Sequence, residues 1–327
     1  MLNNTTLTPT LSNVLNIEYP IIMAPMFLVS NTKMVLEALN SGITAAIPSL
    51  NYRTDAELRA AIAELKEKST KPFGINLIVN QSNLKYKNHL AIAVEMNVAF
   101  IITSLGSPKE TIDLCRTKGI KVFCDVTDLT YAKKVEALGA DAVIAVNNQA
   151  GGHAGALDIE TLVPLLRQHL SIPIISAGGV ASGKDILKAL ALGASGVSVG
   201  TIFIAAEESP VSMEYKQALI DYGAKDVVKT TKLSGSALTV INTPYVQSLG
   251  TETGFWERLL LKNKFLKKYV KLIVALKGMK AIERAAFNAT YKTVWCAGPS
   301  IEHIHAVRPL KEIVKKLTTE YNQAKST

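Results

Sequence analysis

A histidine lies in a glycine-rich stretch directly after a short apolar run. The run is Ala142–Val146, and the stretch after it reads Asn147-Asn148-Gln149-Ala150-Gly151-Gly152-His153-Ala154-Gly155. In a parallel α/β fold, ligands bind at the carboxyl ends of the strands, and glycines let a backbone approach a ligand closely. A histidine there can transfer a proton near neutral pH. His153 is therefore a candidate catalytic base; the alternative is a glycine-rich turn that carries a solvated histidine.

Two further glycine-bearing loops indicate a phosphate site. Gly178 and Gly179 follow the apolar run that ends at Ala177, and Gly200 precedes Thr201 within the next run. Backbone N–H groups in such loops, together with a threonine hydroxyl, can hydrogen-bond a phosphate. Glycines also commonly close loops between strands and helices, so the prediction rests on both pairs together.

The elements that would position these residues alternate regularly between apolar runs and helix signals. Eight apolar runs are found, at residues 19–25, 43–48, 73–79, 98–105, 121–126, 142–146, 173–177 and 196–204. Helices between them are indicated by the capping residues Asn31, Thr54, Ser107 and Ser182, of which Thr54 and Ser107 begin capping boxes. Eight strand–helix units predict a (β/α)8 barrel. A doubly wound sheet is the alternative, but no Gly-x-Gly-x-x-Gly follows the first run, which disfavours a dinucleotide-binding domain.

In such a barrel, the loops after the seventh and eighth strands often hold phosphate, as the two glycine pairs would require. A cofactor anchored there would place its ring near the barrel axis, where we expect Ala24-Pro25-Met26, Asn76 and His153. The backbone of Ala24–Met26 and the Asn76 amide could hydrogen-bond the polar edge of an isoalloxazine. Alternatively, Met26 fills the core and the Asn76 amide is bonded within the strand layer.

The alternation stops after residue 205. Apolar residues at helical spacing between Leu259 and Leu276 predict that residues 213–298 form a mostly helical segment over the barrel mouth. Residues 301–322 are predicted to form one last helix that returns to the barrel. The expected domains are therefore the barrel, residues 1–212 and 299–327, and a lid, residues 213–298.

Composition narrows the function classes. Nine Lys or Arg and two Glu lie between Glu257 and Arg284, so one segment carries +7 of the formal net charge of +9. This distribution argues against a nucleic-acid binder; a solvated helix face, a docking patch for an acidic partner, or attraction of anionic substrates remain open. Three separated cysteines give no disulfide framework and no zinc signature, so we expect no metal site and a reducing, cytoplasmic location. No signal peptide is expected, because residues 1–16 are polar and have no basic residue before an apolar run. No membrane span is expected either, because glycines and serines interrupt the one long uncharged stretch, residues 189–206.

Five patches between residues 20 and 210 resemble the nitronate monooxygenase family, flavoenzymes built on a (β/α)8 barrel. They are Met23-Ala24-Pro25-Met26, Pro72-Phe73-Gly74-Ile75-Asn76-Leu77, Ala150-Gly151-Gly152-His153, Ala177-Gly178-Gly179-Val180 and Val199-Gly200-Thr201-Ile202-Phe203. The resemblance implies non-covalent FMN. Asn76, Gly151, Gly179 and Ser198 to Thr201 match the family's flavin-binding positions, and His153 matches its base. With the residues already singled out, and with Asp125 near the end of the fifth apolar run, the predicted cofactor-binding set is Ala24, Pro25, Met26, Asn76, Asp125, Gly151, Gly178, Gly179, Ser198, Val199, Gly200 and Thr201.

The resemblance implies oxidation of alkyl nitronates, and of nitroalkanes after His153 removes the α-proton, with O2 as electron acceptor and a carbonyl compound and nitrite as products. One departure stands before Ala150: the family's usual Gln-Gly-x-Glu is replaced by Val146, Asn147, Asn148 and Gln149. One alternative is a flavin-dependent enoyl-[acyl-carrier-protein] reductase that uses NAD(P)H, for which the basic segment could dock the carrier. A flavin-binding protein without this catalysis is the other, and both a monomer and a dimer remain open.

Overall fold

Eight parallel strands close into a barrel in the computed structural model, which describes residues 9–80, 83–231, 237–250 and 294–326. The barrel strands are β1 Ile21–Met23, β2 Thr44–Pro48, β3 Gly74–Ile78, β4 Phe100–Ser104, β5 Lys121–Val126, β6 Ala142–Val146, β8 Ile174–Ala177 and β9 Gly196–Val199. The last strand pairs with the first, with Ser198 opposite Ile22. A two-residue strand, β7 (Gly152–His153), lies outside the barrel. The predicted (β/α)8 fold is confirmed.

Helices follow the strands and surround the barrel. They are α1 Leu11–Leu15, α2 Thr32–Asn40, α3 Asp55–Lys68, α4 Tyr86–Glu95, α5 Lys109–Arg116, α6 Leu129–Leu138, α7 Ile159–His169, α8 Gly183–Ala191, α9 Thr201–Ile204, α10 Met213–Asp221, α11 Pro244–Leu249 and the C-terminal helix Leu310–Lys325. Asn31, Thr54 and Ser182 cap their helices as predicted. The predicted cap at Ser107 is wrong: Pro108 occupies the N-cap position of α5 and no side chain caps it.

The barrel interior is apolar at one end and polar at the other. Strand side chains alternate inward and outward, and the inward cluster includes Phe100 and Phe123, whose rings stack at 5.1 Å. Leu11 and Leu15 of α1 join this cluster, so the amino-terminal end of the barrel is closed by packed side chains. The same alternation places the side chains of Asn76, Ser104 and Asp125 inward at the carboxyl end. Ligand chemistry is thereby confined to that end.

Two predicted boundaries are wrong because short apolar runs do not distinguish a strand from a helix turn. The eighth barrel strand ends at Val199, and the apolar residues Thr201–Ile204 form the short helix α9. The last helix does not begin at residue 301. Pro299–His303 is a 3₁₀ turn, and the C-terminal helix begins only after Pro309, consistent with the bias of residues before proline away from helix.

The segment over the barrel mouth is mixed rather than mostly helical in its described part. Besides α10 and α11 it contains β10 (Val227–Thr230) and β11 (Leu238–Ile241), which form a three-stranded sheet with β7. Their β-branched residues favour strands. The sequence prediction did not follow this signal, because it relied on the helical spacing of apolar residues farther along the chain. That helical spacing and the basic residues 258–284 lie outside the described residues. Within the described part, no helix is both long and apolar enough to cross a membrane.

Gly183→Ala should destabilise the fold, because a methyl group there would overlap the backbone of Glu320 and Tyr321 in the C-terminal helix. Overpacking of this kind typically costs ~1–3 kcal/mol, which urea unfolding would measure. The matched control is Lys184→Ala, an exposed neighbour on the same helix; surface changes usually remain within ~0.5 kcal/mol. Equal stability of the two variants would show that the helices do not pack as closely as described.

Candidate active site

Three polar side chains form a hydrogen-bonded chain at the carboxyl ends of β3, β4 and β5. Asn76 Nδ2 donates to the Ile102 carbonyl oxygen at 3.1 Å and to Ser104 Oγ at 2.9 Å. Ser104 Oγ in turn donates to Asp125 Oδ2 at 2.5 Å. These neighbouring strands pair in register, which brings residues 49 positions apart in the sequence into one network.

The orientation of the Asn76 amide follows from its partners. The Ile102 carbonyl can only accept a hydrogen bond, so the atom facing it must be the amide nitrogen. Both amide hydrogens are then used, whereas Asn76 Oδ1 accepts no hydrogen bond from the described residues. The amide nitrogen is thus bonded within the strand layer, and the amide oxygen is left to accept from a ligand.

Asp125 is a carboxyl group in a poorly hydrated position. Its side chain keeps some accessible surface, yet it lies deep enough in the barrel for burial to raise its pKa from 3.8 to about 6, against the opposing effect of the Ser104 hydrogen bond. No ion pair to Asp125 exists within the described ranges. The protonated acid and the carboxylate are therefore both accessible near neutral pH.

The loops after β6 and β8 interlock. Asn147 Nδ2 donates to the Gly178 carbonyl oxygen at 3.0 Å, and Asn147 Oδ1 accepts from the Gln149 N–H at 2.8 Å. Gly178 and Gly179 have φ of +113° and +81°, where side chains are strained. A side chain at Gly178 would also lie 2.6 Å from the Ala150 nitrogen. Asn147 is therefore buried and joins the two loops, and both its amide nitrogen and its amide oxygen are hydrogen-bonded within the protein.

The third glycine-bearing loop contacts the first strand. Gly200 lies next to Ala24 and Met26, since a Cβ there would be 3.6 Å from the Ala24 Cβ and from the Met26 Sδ. The Ala24–Met26 turn is fixed by Ser30, whose Oγ accepts from the Met26 N–H and donates to the Ala24 carbonyl oxygen. The side chain of Val199, a predicted site residue, points away from the barrel interior and packs in the core between the strands and the helices. Its carbonyl accepts from the Ala24 N–H at 2.8 Å.

Backbone donors for a phosphate remain in these loops. The N–H groups of Gly179, Val180 and Gly200 bond to no group in the described part of the chain. In contrast, the N–H groups of Ala181 and Ser182 both donate to Asp185 Oδ2. Any phosphate held here would thus contact the glycines rather than the first turn of α8.

Thr201 has a partner that the sequence did not reveal. Its Oγ1 accepts from the Gly298 N–H at 3.0 Å, and the hydroxyl is buried. A side chain at Gly298 would overlap the Gln149 carbonyl oxygen, and one at Gly151 would lie 2.8 Å from the Gly298 nitrogen. The chain after residue 293 therefore returns to the mouth and packs against two site loops.

His153 is held at the barrel mouth by strand β11. In β7 it pairs with Leu238 of β11, and Gly152 pairs with Thr239. The imidazole retains more than a third of its accessible surface, but the surrounding protein still desolvates it enough to lower its pKa from 6.5. The neutral form, which can accept a proton, is therefore favoured.

Comparison with known proteins agrees with this geometry. The sequence model of the nitronate monooxygenase family matches residues 8–320 of the chain. The chain belongs to the nitronate monooxygenase family. It is accordingly a flavin-dependent oxidoreductase.

Several known proteins are similar to the chain over most of its length. A 5-hydroxy-7a-methyl-1-oxo-octahydro-1H-indene-4-carboxyl-CoA dehydrogenase of Rhodococcus jostii is 32% identical, over 75% of this chain and 68% of the relative. A probable nitronate monooxygenase of Staphylococcus saprophyticus is 24% identical, over 97% and 99%. The structure of FabK from Thermotoga maritima superposes with a TM-score of 0.84 at 27% identity, over 98% of each chain.

The barrel brings most of the predicted residues to one mouth, and adds others. Ser104 and Gly298 were not predicted as site residues. Ser104 could have been found from the sequence, because it is a polar residue near the end of a predicted strand, as Asn76 and Asp125 are. Gly298 gave no such signal, because only the returning chain places it beside Gly151.

Asp125→Asn should stabilise the protein at high pH. Because burial raises the carboxyl pKa from 3.8 to about 6, folding favours the protonated acid, and the native state loses stability as pH rises through that range. At pH 8 we expect the variant to gain ~3 kcal/mol in free energy of unfolding, from ~1.4 kcal/mol per pKa unit, and to gain nothing at pH 3.

Urea unfolding at both pH values measures this effect. Asp113→Asn is the control, since Asp113 is an exposed partner of Lys109 on α5. A gain of the same size at pH 3 and pH 8 would contradict the assignment, because it would not come from ionisation.

Proposed function

We propose that the protein binds FMN at the barrel mouth and oxidises alkyl nitronates, and nitroalkanes, with O2 to carbonyl compounds and nitrite. The proposal rests on one observation: the two glycine-bearing loops, the free Asn76 oxygen and His153 meet at the same end of the barrel. Membership in the nitronate monooxygenase family supports the reaction class.

The residues present fit a flavin mononucleotide. The N–H groups of Gly179, Val180 and Gly200 would hold its single phosphate, and Asn76 Oδ1 would accept from an N–H at the polar edge of the ring. The backbone of Ala24–Met26 lies beside Gly200, so it would be among the groups that hold the same cofactor. When bound, the flavin accepts two electrons and O2 reoxidises it.

His153 would act as the base for neutral nitroalkanes. Its lowered pKa keeps the imidazole neutral at physiological pH, so it can take the α-proton as the C–H bond breaks and the nitronate forms. Pairing of Gly152–His153 with the lid strand β11 positions the imidazole over the mouth. A preformed nitronate has already lost this proton and needs no base.

A second candidate substrate class is a carboxyl-CoA or other acyl thioester. It is favoured by the names of two relatives, both carboxyl-CoA dehydrogenases, at 32% and 30% identity. A thioester carbonyl acidifies its α-carbon as a nitro group does, so the same base and flavin would serve. An enoyl-[acyl-carrier-protein] reductase that uses NAD(P)H is the reductive form of this candidate.

Anaerobic mixing of the FMN-loaded protein with candidate reductants separates these functions. Bleaching of the flavin absorbance by propionate-3-nitronate would support nitronate oxidation. Bleaching by NADH or NADPH, followed by reoxidation with an enoyl thioester, would instead select the reductase. A yellow protein inert to all of them would indicate flavin binding without this catalysis.

Gly200→Ala tests the cofactor site. A methyl group there meets only ordinary contacts at 3.6 Å and Gly200 has a negative φ, so the flavin-free fold should keep its stability. The methyl would occupy the space next to the N–H groups, and we expect FMN to bind at least ~10-fold more weakly, a loss of ~1.4 kcal/mol. Isothermal titration measures the affinity, with Lys184→Ala as control. Unchanged affinity would place the phosphate elsewhere.

His153→Asn tests the base. We expect kcat/KM for nitroethane to fall ~100-fold or more, the usual contribution of a positioned base, while ethyl nitronate is turned over at a rate close to wild type. In the wild type, kcat/KM for nitroethane should rise with pH through a midpoint below 6.5, because burial lowers the imidazole pKa. The variant should lose this dependence.

His169→Asn is the matched control, because His169 lies at the exposed end of α7. Equal losses with nitroethane and nitronate in His153→Asn would show that His153 is not the base.

A further inference from the structure

An acidic side chain lies inside the barrel in the polar layer that would contact the ring. Asp125 shares the interior of the carboxyl end with Asn76, and Ser104 links the two through hydrogen bonds of 2.9 and 2.5 Å. The next strand, β6, places the apolar Ile144 opposite Asp125. A carboxylate here is therefore close to the proposed cofactor and partly desolvated by the surrounding barrel.

The carboxylate has no compensating cation in the described part of the chain. Ser104 on β4 is its hydrogen-bond partner, and the titratable groups that interact with it electrostatically are Cys124 on its own strand and Tyr131 on α6. Burial raises the pKa of Cys124 to about 12, and the pKa of Tyr131 also lies above 10, so both stay neutral below pH 8. Tyr131 donates its hydroxyl hydrogen to the Gly106 carbonyl oxygen and is not available to Asp125.

We propose that ionised Asp125 lowers the reduction potential of the bound flavin, an inference that rests on the proposed FMN site. Reduction places added negative charge on the ring, and a carboxylate in the same poorly hydrated layer disfavours that charge. The hydrogen bond from Ser104 holds the carboxylate in place. The side chain thus acts on the electron acceptor, and His153 acts on the substrate proton.

The effect should depend on pH. Asp125 carries its charge at pH 8 and loses it as pH falls through a value of about 6, so its influence on the potential should be present at pH 8 and absent at pH 5. Two other groups require control. Asp128, at the N-cap of α6, is three residues away and exposed, and His153 on the loop after β6 is also titratable, with its pKa lowered from 6.5 by desolvation.

The test is the midpoint potential of FMN bound to wild type and to Asp125→Asn, measured anaerobically with xanthine and xanthine oxidase against a reference dye. At pH 8 we expect reduction to become about tenfold more favourable in the variant, which is ~30 mV for a two-electron couple. At pH 5 the two potentials should coincide. Asp113→Asn, which removes an equal charge from the outer surface, should match wild type, and His153→Asn should retain the Asp125 effect.

Equal potentials of wild type and Asp125→Asn at pH 8 would overturn the proposal, as would a difference that persists unchanged at pH 5. Should Asp125→Asn fail to fold, Ser104→Ala provides a second measurement. Without the Ser104 hydrogen bond the carboxylate is less stable, so the pH at which the potential changes should move upward, and an unmoved transition would also overturn the proposal.

The result does not depend on which substrate is turned over, because the potential is measured from the flavin spectrum. A wild-type protein that binds no FMN would refute the cofactor proposal itself. A protein that binds FMN, ignores nitronates and still shows the pH-dependent shift would refute only the proposed substrate.

Discussion

Parallel closure of the barrel is the constraint on which the rest of the site depends. With every strand running in the same direction, the loops that follow them emerge at one end, whatever their separation in the sequence. The amino-terminal end is filled by Phe100, Phe123 and the α1 side chains. At the carboxyl end, Asn76 Oδ1 and the N–H groups of Gly179, Val180 and Gly200 have no partner among the described residues, so this end offers hydrogen-bonding groups to a ligand.

Close backbone approach holds that end together. Gly178, Gly151 and Gly298 lie where a side chain would overlap a neighbouring loop, and the buried Asn147 amide joins the loops after β6 and β8. The altered sequence before His153 is therefore compatible with an ordered site. The buried amide joins two loops by hydrogen bonds, and the proposed phosphate donors are backbone N–H groups that do not depend on side-chain identity.

The site combines two titratable groups whose surroundings act in opposite directions on charge. Desolvation lowers the pKa of His153 and raises that of Asp125, so each is biased toward its neutral form. For the histidine this favours the neutral imidazole that the proposed base requires. For the aspartate, desolvation lowers the stability of the folded protein at neutral pH. A role in the electron-transfer step therefore accounts for Asp125 better than a role in folding.

The sequence by itself determined the alternation of strands and helices, most helix caps, and the glycine loops after the sixth and later strands, because apolar periodicity and capping residues are local signals. It did not determine that Thr201–Ile204 is a helix and not the end of the eighth strand, since a four-residue apolar run fits a strand or a helix. Tertiary structure alone paired His153 with Leu238, brought Gly298 to Thr201 and joined Asn76 to Asp125 through Ser104. These contacts depend on strand register and on the path of the returning chain, which are set by packing between distant segments and leave no local pattern in the residues themselves.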